Sequence, residues 1–430
     1  MATAQLPSSS LPIRRRTLLG ALCAGAILQG CGGGGGGGSS LPVLQSAWSA
    51  PVSDYNAASV LGSPAPAFVQ DRTIRQVMRL AAGGDGVRVR ISNLFGPGAL
   101  AVGSLRIARS AGGTRIAPGT DVALTFGGQA SVTIPAGQEL WSDVVAMPLD
   151  SLSDVAVSLY VGPRTPLGTY HQLGMRNTYM ATGNVALAED VAPADAPTTS
   201  YYWVSGIDVR NTSAQGTIVT FGDSITDGLA STLDGSRRYP DALARRLAAD
   251  PSLRGLSVAN AGISGNRILH DGAGPRALGR FDRDVLQLSG ATHVIVLIGI
   301  NDIGFSNIVP SEAVTADEII AGLATLVQRG RAARLKVILG TLLPFDHALG
   351  PDGQPSPYYD LAGDAKRARV NDWIRSGASQ ADGVIDFDAA MRDPAAPSRM
   401  RAAYDSGDHL HPGDAGYQAM ADAIDLSLFR

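Results

Sequence analysis

Two short segments carry the side chains most able to do covalent chemistry. Phe221-Gly222-Asp223-Ser224-Ile225-Thr226-Asp227-Gly228 sets a serine in a glycine-flanked turn, and Asp408-His409-Leu410-His411-Pro412 sets an acid three residues before an imidazole. A serine hydroxyl is a weak nucleophile until a base removes its proton. An aspartate at that spacing can hold the imidazole Nδ1–H within one turn, fixing the tautomer and turning Nε2 toward the nucleophile. Ser224, His411 and Asp408 are therefore the candidates for attack on an electrophilic carbon. His409 lies too close to Asp408 in sequence to receive the same support. The competing reading makes Asp408 a helix cap and His411 a surface histidine.

Such an attack needs donors for the negative charge that develops on oxygen. Gly299-Ile300-Asn301-Asp302 offers the Asn301 amide. Ala261-Gly262-Ile263-Ser264-Gly265-Asn266 offers backbone N–H groups that a glycine lets approach closely. Each has a plainer alternative: Asn301 bonding its own turn, Gly265 permitting a positive φ. Asp223, Asp227 and Asp302 could suggest a carboxylate metal site, but their neighbours favour turn roles, and no metal is expected. Asp346 and His347 open a Gly/Pro loop that runs to Tyr358-Tyr359. It is read either as a substrate loop over the crevice or as plain surface. Tyr201-Tyr202-Trp203 is either a sugar-stacking platform or packing, and the sequence assigns no role to Tyr170-His171.

The elements that must position these groups change character along the chain. From residue 46 to 210 the pattern is short strands between Gly, Pro and Ser. Examples are Val87–Ile91, Leu105–Ile107, Ser131–Ile134 and Val155–Tyr160. This predicts an antiparallel, jelly-roll-like β-sandwich. From 211 to 430, buried-type strands at Ile218–Phe221, Leu256–Ala259, His293–Ile298, Lys336–Gly340 and Val384–Phe387 alternate with helices. Two helices are expected over Pro240–Ala249 and Ala316–Ala333, with a last one opening near Gly413. Five such strands predict a parallel sheet covered on both faces, with the ligand crevice beyond the strands' carboxyl ends. The candidate residues fall at those ends.

The 430 residues carry a net charge of −3 with 17% charged residues, and no Lys/Arg cluster suited to phosphate, which argues against a nucleic-acid partner. Cys23 and Cys31 both precede residue 32, leaving none for a disulfide in the folded part. Residues 1–31 read as a secretory leader: Arg14-Arg15-Arg16, an apolar stretch from Leu18 to Leu28, then small residues. Twin-arginine and ordinary Sec export both fit. Leu28-Gln29-Gly30-Cys31 resembles a lipoprotein cleavage box, making Cys31 the candidate lipid anchor. The glycines of residues 32–45 then form a tether. Cleavage and release is the alternative. Either way an exported protein is expected: periplasmic, outer-membrane-tethered or extracellular.

Taken together, the segments around Ser224, Gly265, Asn301 and Asp408/His411 resemble the four sequence blocks of the SGNH (GDSL-type) hydrolases, with Ile225 where the name-giving motif has Leu. The likeness covers roughly 217–430. It implies a flavodoxin-like α/β/α sandwich without metal or organic cofactor, acting on short-chain carboxylesters or O-acetyl groups of carbohydrates. It also implies roles: Ser224 as nucleophile, His411 as base and Asp408 as its orienting acid. Ser224 N–H, Gly265 N–H and Asn301 would form the oxyanion hole. The β-rich half resembles the front domain of some secreted bacterial members. The rival reading is a surface polysaccharide-binding protein whose α/β half is catalytically idle.

Overall fold

Residues 216–222 (GTIVTFG) are buried along their whole length. So are nearly all of Leu256–Gly262 and the second half of Ala291–Leu297. Strands apolar on both faces belong inside a parallel sheet, sandwiched between helices. A computed structural model describes residues 43–57 and 66–430; the leader, Cys31 and the glycine run lie outside the described residues. Five parallel strands form that sheet, in spatial order Leu256–Gly262, Gly216–Gly222, Ala291–Leu297, Lys336–Gly340, Gly383–Ile385. In chain order this is 2-1-3-4-5, the flavodoxin-like arrangement, whose switch point lies between the first and third strands. The fifth strand stops at Ile385, short of the expected Phe387, because Asp386 caps a helix over Phe387–Met391.

The chain moves to one side of the first strand and then reverses to the other. Right-handed crossovers therefore put its helices on opposite faces. Helix Tyr239–Ala249 packs with Asp414–Asp422, and helix Ala316–Ala332 with Leu361–Arg375. The long helix starts where it does because Thr315 Oγ1 accepts the Glu318 N–H while the Glu318 carboxylate accepts the Thr315 N–H.

Upstream, the described residues 43–211 contain no helix. One antiparallel sheet orders Val43–Ser49, Val204–Asn211 and Gly84–Ser92. Both Glu139–Trp141 and Val145–Leu149 pair with the last of these. The other sheet orders Thr178–Thr182, Arg72–Arg79, Asp154–Val161 and Ser104–Gly112. Alternate residues from both, such as Val87, Val89 and Ile91 with Val155, Val157 and Leu159, share one core, which makes the pair a sandwich. Val43, Leu44 and Gln45, expected in the linker, already pair with Asn211, Arg210 and Val209. Tyr201, Tyr202 and Trp203 are at most 2% exposed, so they pack the core and cannot stack on an external sugar.

Although the two halves have separate apolar cores, they belong to one compact unit. Polar groups join them. Gln45 Nε2 donates to Gly216 O at 2.5 Å and Gly255 O at 2.9 Å, and Ser46 N–H donates to Ser289 O at 2.9 Å. Asp208, 1% exposed, accepts from Arg88 at 2.7 Å and from Ser289 Oγ at 2.6 Å. Since these buried contacts tie the halves together, urea unfolding followed by Trp fluorescence and by far-UV circular dichroism should give one coincident transition. Asp208→Ala should lower its free energy by about 1–3 kcal/mol.

Candidate active site

The first parallel strand ends at Gly222, where a Cβ would lie 2.1 Å from Thr226 Oγ1 and 2.4 Å from Leu297 O. Only glycine lets the chain turn this tightly against the third strand. Asp223 then caps a single helical turn, its carboxylate accepting the Ile225 N–H at 3.0 Å, and Gly228 closes that turn at φ 101°. Ser224 is the first residue of the turn, where backbone N–H groups lack an intrahelical acceptor. Its Oγ lies 2.7 Å from His411 Nε2.

His411 Nδ1 lies 2.6 Å from Asp408 Oδ2. A carboxylate only accepts, so Nδ1 carries the hydrogen and, in the neutral ring, Nε2 keeps a lone pair toward the serine. Asp408 Oδ1 also accepts the Leu410 and His411 N–H groups at 3.0 and 2.8 Å. Burial would raise this carboxyl. The hydrogen bond from the His411 ring, its charge and the two backbone donors outweigh burial and hold it well below the usual carboxylate range. Asp408 does not cap the last helix, whose N-cap is Gly413. His409 turns the other way, to Asp405 Oδ2 at 2.6 Å.

Asn301 is the second residue of the helix Ile300–Ile308 after the third strand and is buried. Its Nδ2 donates to Asn266 O at 3.0 Å, and its Oδ1 accepts from Tyr358 Oη at 2.8 Å, so it does not bond its own turn. Those partners fix which way the amide faces and leave one Nδ2 hydrogen for the cleft. Gly265 has φ +77° and lines the same cleft. The cleft holds about 280 Å³ and is bordered by Ser224, Gly265, Asn301 and His411 together with Leu229, Phe305, Ile308, Leu349, Tyr358 and Leu410.

Residues 220–419 match the model of the GDSL-like lipase/acylhydrolase family. Those residues are a GDSL-like acylhydrolase domain. The chain is a carboxylic ester hydrolase. No curated protein matches it. Solved structures similar to the hydrolase include an α/β hydrolase from the metagenome of Lake Arreo, Spain. It shares 25% identity over 50% of this chain and 95% of its own, with a TM-score of 0.38. Another is a variant of an acetyl xylan esterase from Geobacillus stearothermophilus, with 24% identity, 50% and 95% coverage and a TM-score of 0.39. A third is a GDSL-like lipase from Bacteroides thetaiotaomicron, with 22% identity, 50% and 87% coverage and a TM-score of 0.36.

Of the two readings of Asp346 and His347, the structure favours plain surface, since neither lines the cleft. Asp346 accepts from Ser398 Oγ at 3.0 Å and Arg399 Nε at 3.1 Å, and His347 points outward beside Asp346 and Arg399. The strand Ala396–Met400 captures both, and the same loop reaches the cleft only farther on, through Leu349, Gly350, Pro351, Ser356 and Tyr358. The three carboxylates considered for a metal are each engaged by protein donors. Asp223 holds Ile225 N–H, Asp302 holds Ile268 and Leu269 N–H at 2.7 and 3.1 Å, and Asp227 holds Ser264. Tyr358 and Asp227 were not singled out by sequence for these roles, because each acts on a partner more than 35 positions away.

The depressed Asp408 has a consequence for stability. A carboxyl whose folded pKa lies below its unfolded value stabilises the fold above the unfolded value, about 4, and loses that contribution as pH falls toward the folded one. Urea titrations of the parent and Asp408→Asn should therefore show the parent more stable at pH 7, with the gap narrowing steadily below pH 4.

Proposed function

We propose that this hydrolase cleaves esters by two acyl transfers through Ser224. The observation that carries this reading is the relay of two short contacts, Ser224 Oγ to His411 Nε2 at 2.7 Å and His411 Nδ1 to Asp408 at 2.6 Å. His411 Nε2 takes the hydroxyl proton as Ser224 Oγ bonds to the acyl carbon. The carbonyl oxygen becomes an oxyanion facing Ser224 N–H, Gly265 N–H and Asn301 Nδ2. Collapse breaks the bond to the alcohol, which leaves with the proton from His411. Water, deprotonated by the same imidazole, then frees the acid and restores Ser224. Asp408 stays ionised throughout and stabilises the imidazolium that forms at each step.

The cleft wall supports a substrate class. Leu229, Phe305, Ile308, Leu349 and Leu410 offer apolar surface, and about 280 Å³ equals roughly nine water volumes at ~30 Å³ each. That room suits a short-to-medium aliphatic acyl group. The sugar reading has lost its aromatic support, because Tyr201, Tyr202 and Trp203 are buried. The leader is consistent with ester hydrolysis outside the cytoplasm.

Two measurements test this. Asn301→Ala should lower kcat roughly 100- to 1000-fold, the cost of one oxyanion donor, with the fold retained by circular dichroism. Near-full turnover would remove Asn301 from the mechanism. Across p-nitrophenyl esters of increasing length, kcat/KM should peak between butanoate and octanoate. A maximum at acetate, with faster release from acetylated xylan, would favour a carbohydrate deacetylase instead.

A further inference from the structure

Among the described residues, the β half contributes no side chain to the cleft wall, yet one of its residues reaches the turn that carries the nucleophile. His171 ends the short strand Thr169–His171 and is 4% exposed. Its Nδ1 lies 2.8 Å from Pro51 O, and its Nε2 lies 3.1 Å from Leu173 O and 3.0 Å from Asp227 Oδ1. All three are acceptors. A neutral imidazole has a lone pair on one nitrogen, which in either tautomer would face an oxygen; only the imidazolium, with a hydrogen on both, satisfies every contact. Burial alone would lower the pKa of this ring, but the charge and hydrogen bond of Asp227, with the Pro51 and Leu173 carbonyls, raise it. The Tyr201 ring stacks over the imidazole at 6.2 Å, leaving Asp227 as its charged partner.

Asp227 is equally enclosed, with 2% of its side chain exposed, three residues after Ser224. Its second oxygen accepts the Ser264 N–H at 3.0 Å and the Ser264 hydroxyl at 2.8 Å. Ser264 is the residue before Gly265. One carboxylate thus ties the nucleophile turn to the neighbouring glycine loop, and the β half supplies the imidazole in direct contact with it. We propose that His171 is a positioning residue for ester hydrolysis: as a buried imidazolium it holds Asp227, and through Asp227 it sets the Gly265 N–H against the Ser224 oxyanion site. This rests on the reading of Ser224 and Gly265 given above. The β half is, on this view, part of the catalytic apparatus rather than an appended binding module.

The role separates from simple structural support by counting active sites. The full chain and its His171→Gln and His171→Ala variants are titrated with a fluorophosphonate, and turnover is expressed per labelled Ser224. Misfolding lowers the number of labelled sites but leaves turnover per site unchanged. Displacement of the Gly265 loop should instead lower kcat per labelled site by roughly 10- to 100-fold, with KM within about threefold of the parent. Ser264→Ala, which leaves the buried ion pair intact and removes only the hydroxyl contact to Asp227, should give a smaller fall in the same direction. Turnover per site within twofold of the parent in both His171 variants would overturn the inference while leaving Ser224 as nucleophile. A parent not labelled at Ser224 would overturn both. Should the His171 variants fail to fold, the parent itself decides: ¹⁵N spectra at pH 8 should show both His171 ring nitrogens protonated, and a neutral ring would sink the proposal.

Discussion

The contact between Ser224 Oγ and His411 Nε2 joins side chains 187 positions apart, and the architecture of the α/β half amounts to a device for making it. Closing so long a chain segment costs little more entropy than closing one half as long, because the cost grows only logarithmically. What is demanding is direction. The hydroxyl must leave the first strand at the sheet rim, and the imidazole must return to that rim from the far end of the chain. The last helix is brought there by contacts beside the nucleophile turn. Tyr417 Oη donates to Leu229 O at 2.6 Å, and Asp414 accepts from Thr232 N–H and Oγ1 at 2.8 and 2.6 Å. The loop ahead of it is closed by Ser406 N–H on His411 O at 3.0 Å, which sets the imidazole's exit.

The same rim must also hold still. Carbonyls at the carboxyl ends of parallel strands need donors, and Arg280 supplies them. It is 1% exposed and donates to Gly222 O and Ala261 O, both at 2.8 Å, and to Asn266 Oδ1 at 2.9 Å. Its cation lies 4.1 Å over the Phe221 ring and pairs with Asp284. Burial pulls its pKa down to about 10, which still leaves it charged at neutral pH. Burying a charge is tolerable only when its hydrogens are used. Arg280 meets that condition by bonding the two strand ends that present Ser224 and Gly265, so the energetic requirement of the arginine and the geometric requirement of the site have one solution.

These relations divide into those a sequence displays and those it hides. The nucleophile segment, the Asp408/His411 pair and the Asn301 segment are legible because each is local. A turn composition and a three-residue spacing declare what the side chains can do, and the strand periodicity places them at one sheet edge. Asp346 and His347 stay ambiguous in sequence for the complementary reason. Their loop does reach the cleft, but Arg399, some 50 positions downstream, holds their side chains away from it. His171 illustrates the same limit more sharply. Between Tyr170 and Gln172 nothing marks it, and its meaning comes from Pro51, Leu173 and Asp227, which only the tertiary fold assembles. In the β half the period-two pattern announces strands, whereas pairing order depends on which strands share a core, and that is not a local property.

The placement of the β half explains why an acylhydrolase sheet of this order would keep such a neighbour. The second strand, Leu256–Gly262, is an edge of the parallel sheet, and an uncovered edge invites pairing with other chains. Strand Val43–Ser49 packs along it, with Gln45 at its start on Gly255 O and Ser49 Oγ near its end on Asn260 O at 2.7 Å. Just past that end lies the Asp227–His171 pair. Protection of the edge and support of the site therefore run along one line, from the amino end of the strand to the turn that bears Ser224. The directional polar contacts of this seam have to meet their partners in one register, whereas its apolar contacts, such as Ala81 and Leu152 on the α/β core, could slide. For a site whose donors must converge on one oxygen, fixing that register matters more than the modest net free energy such hydrogen bonds contribute.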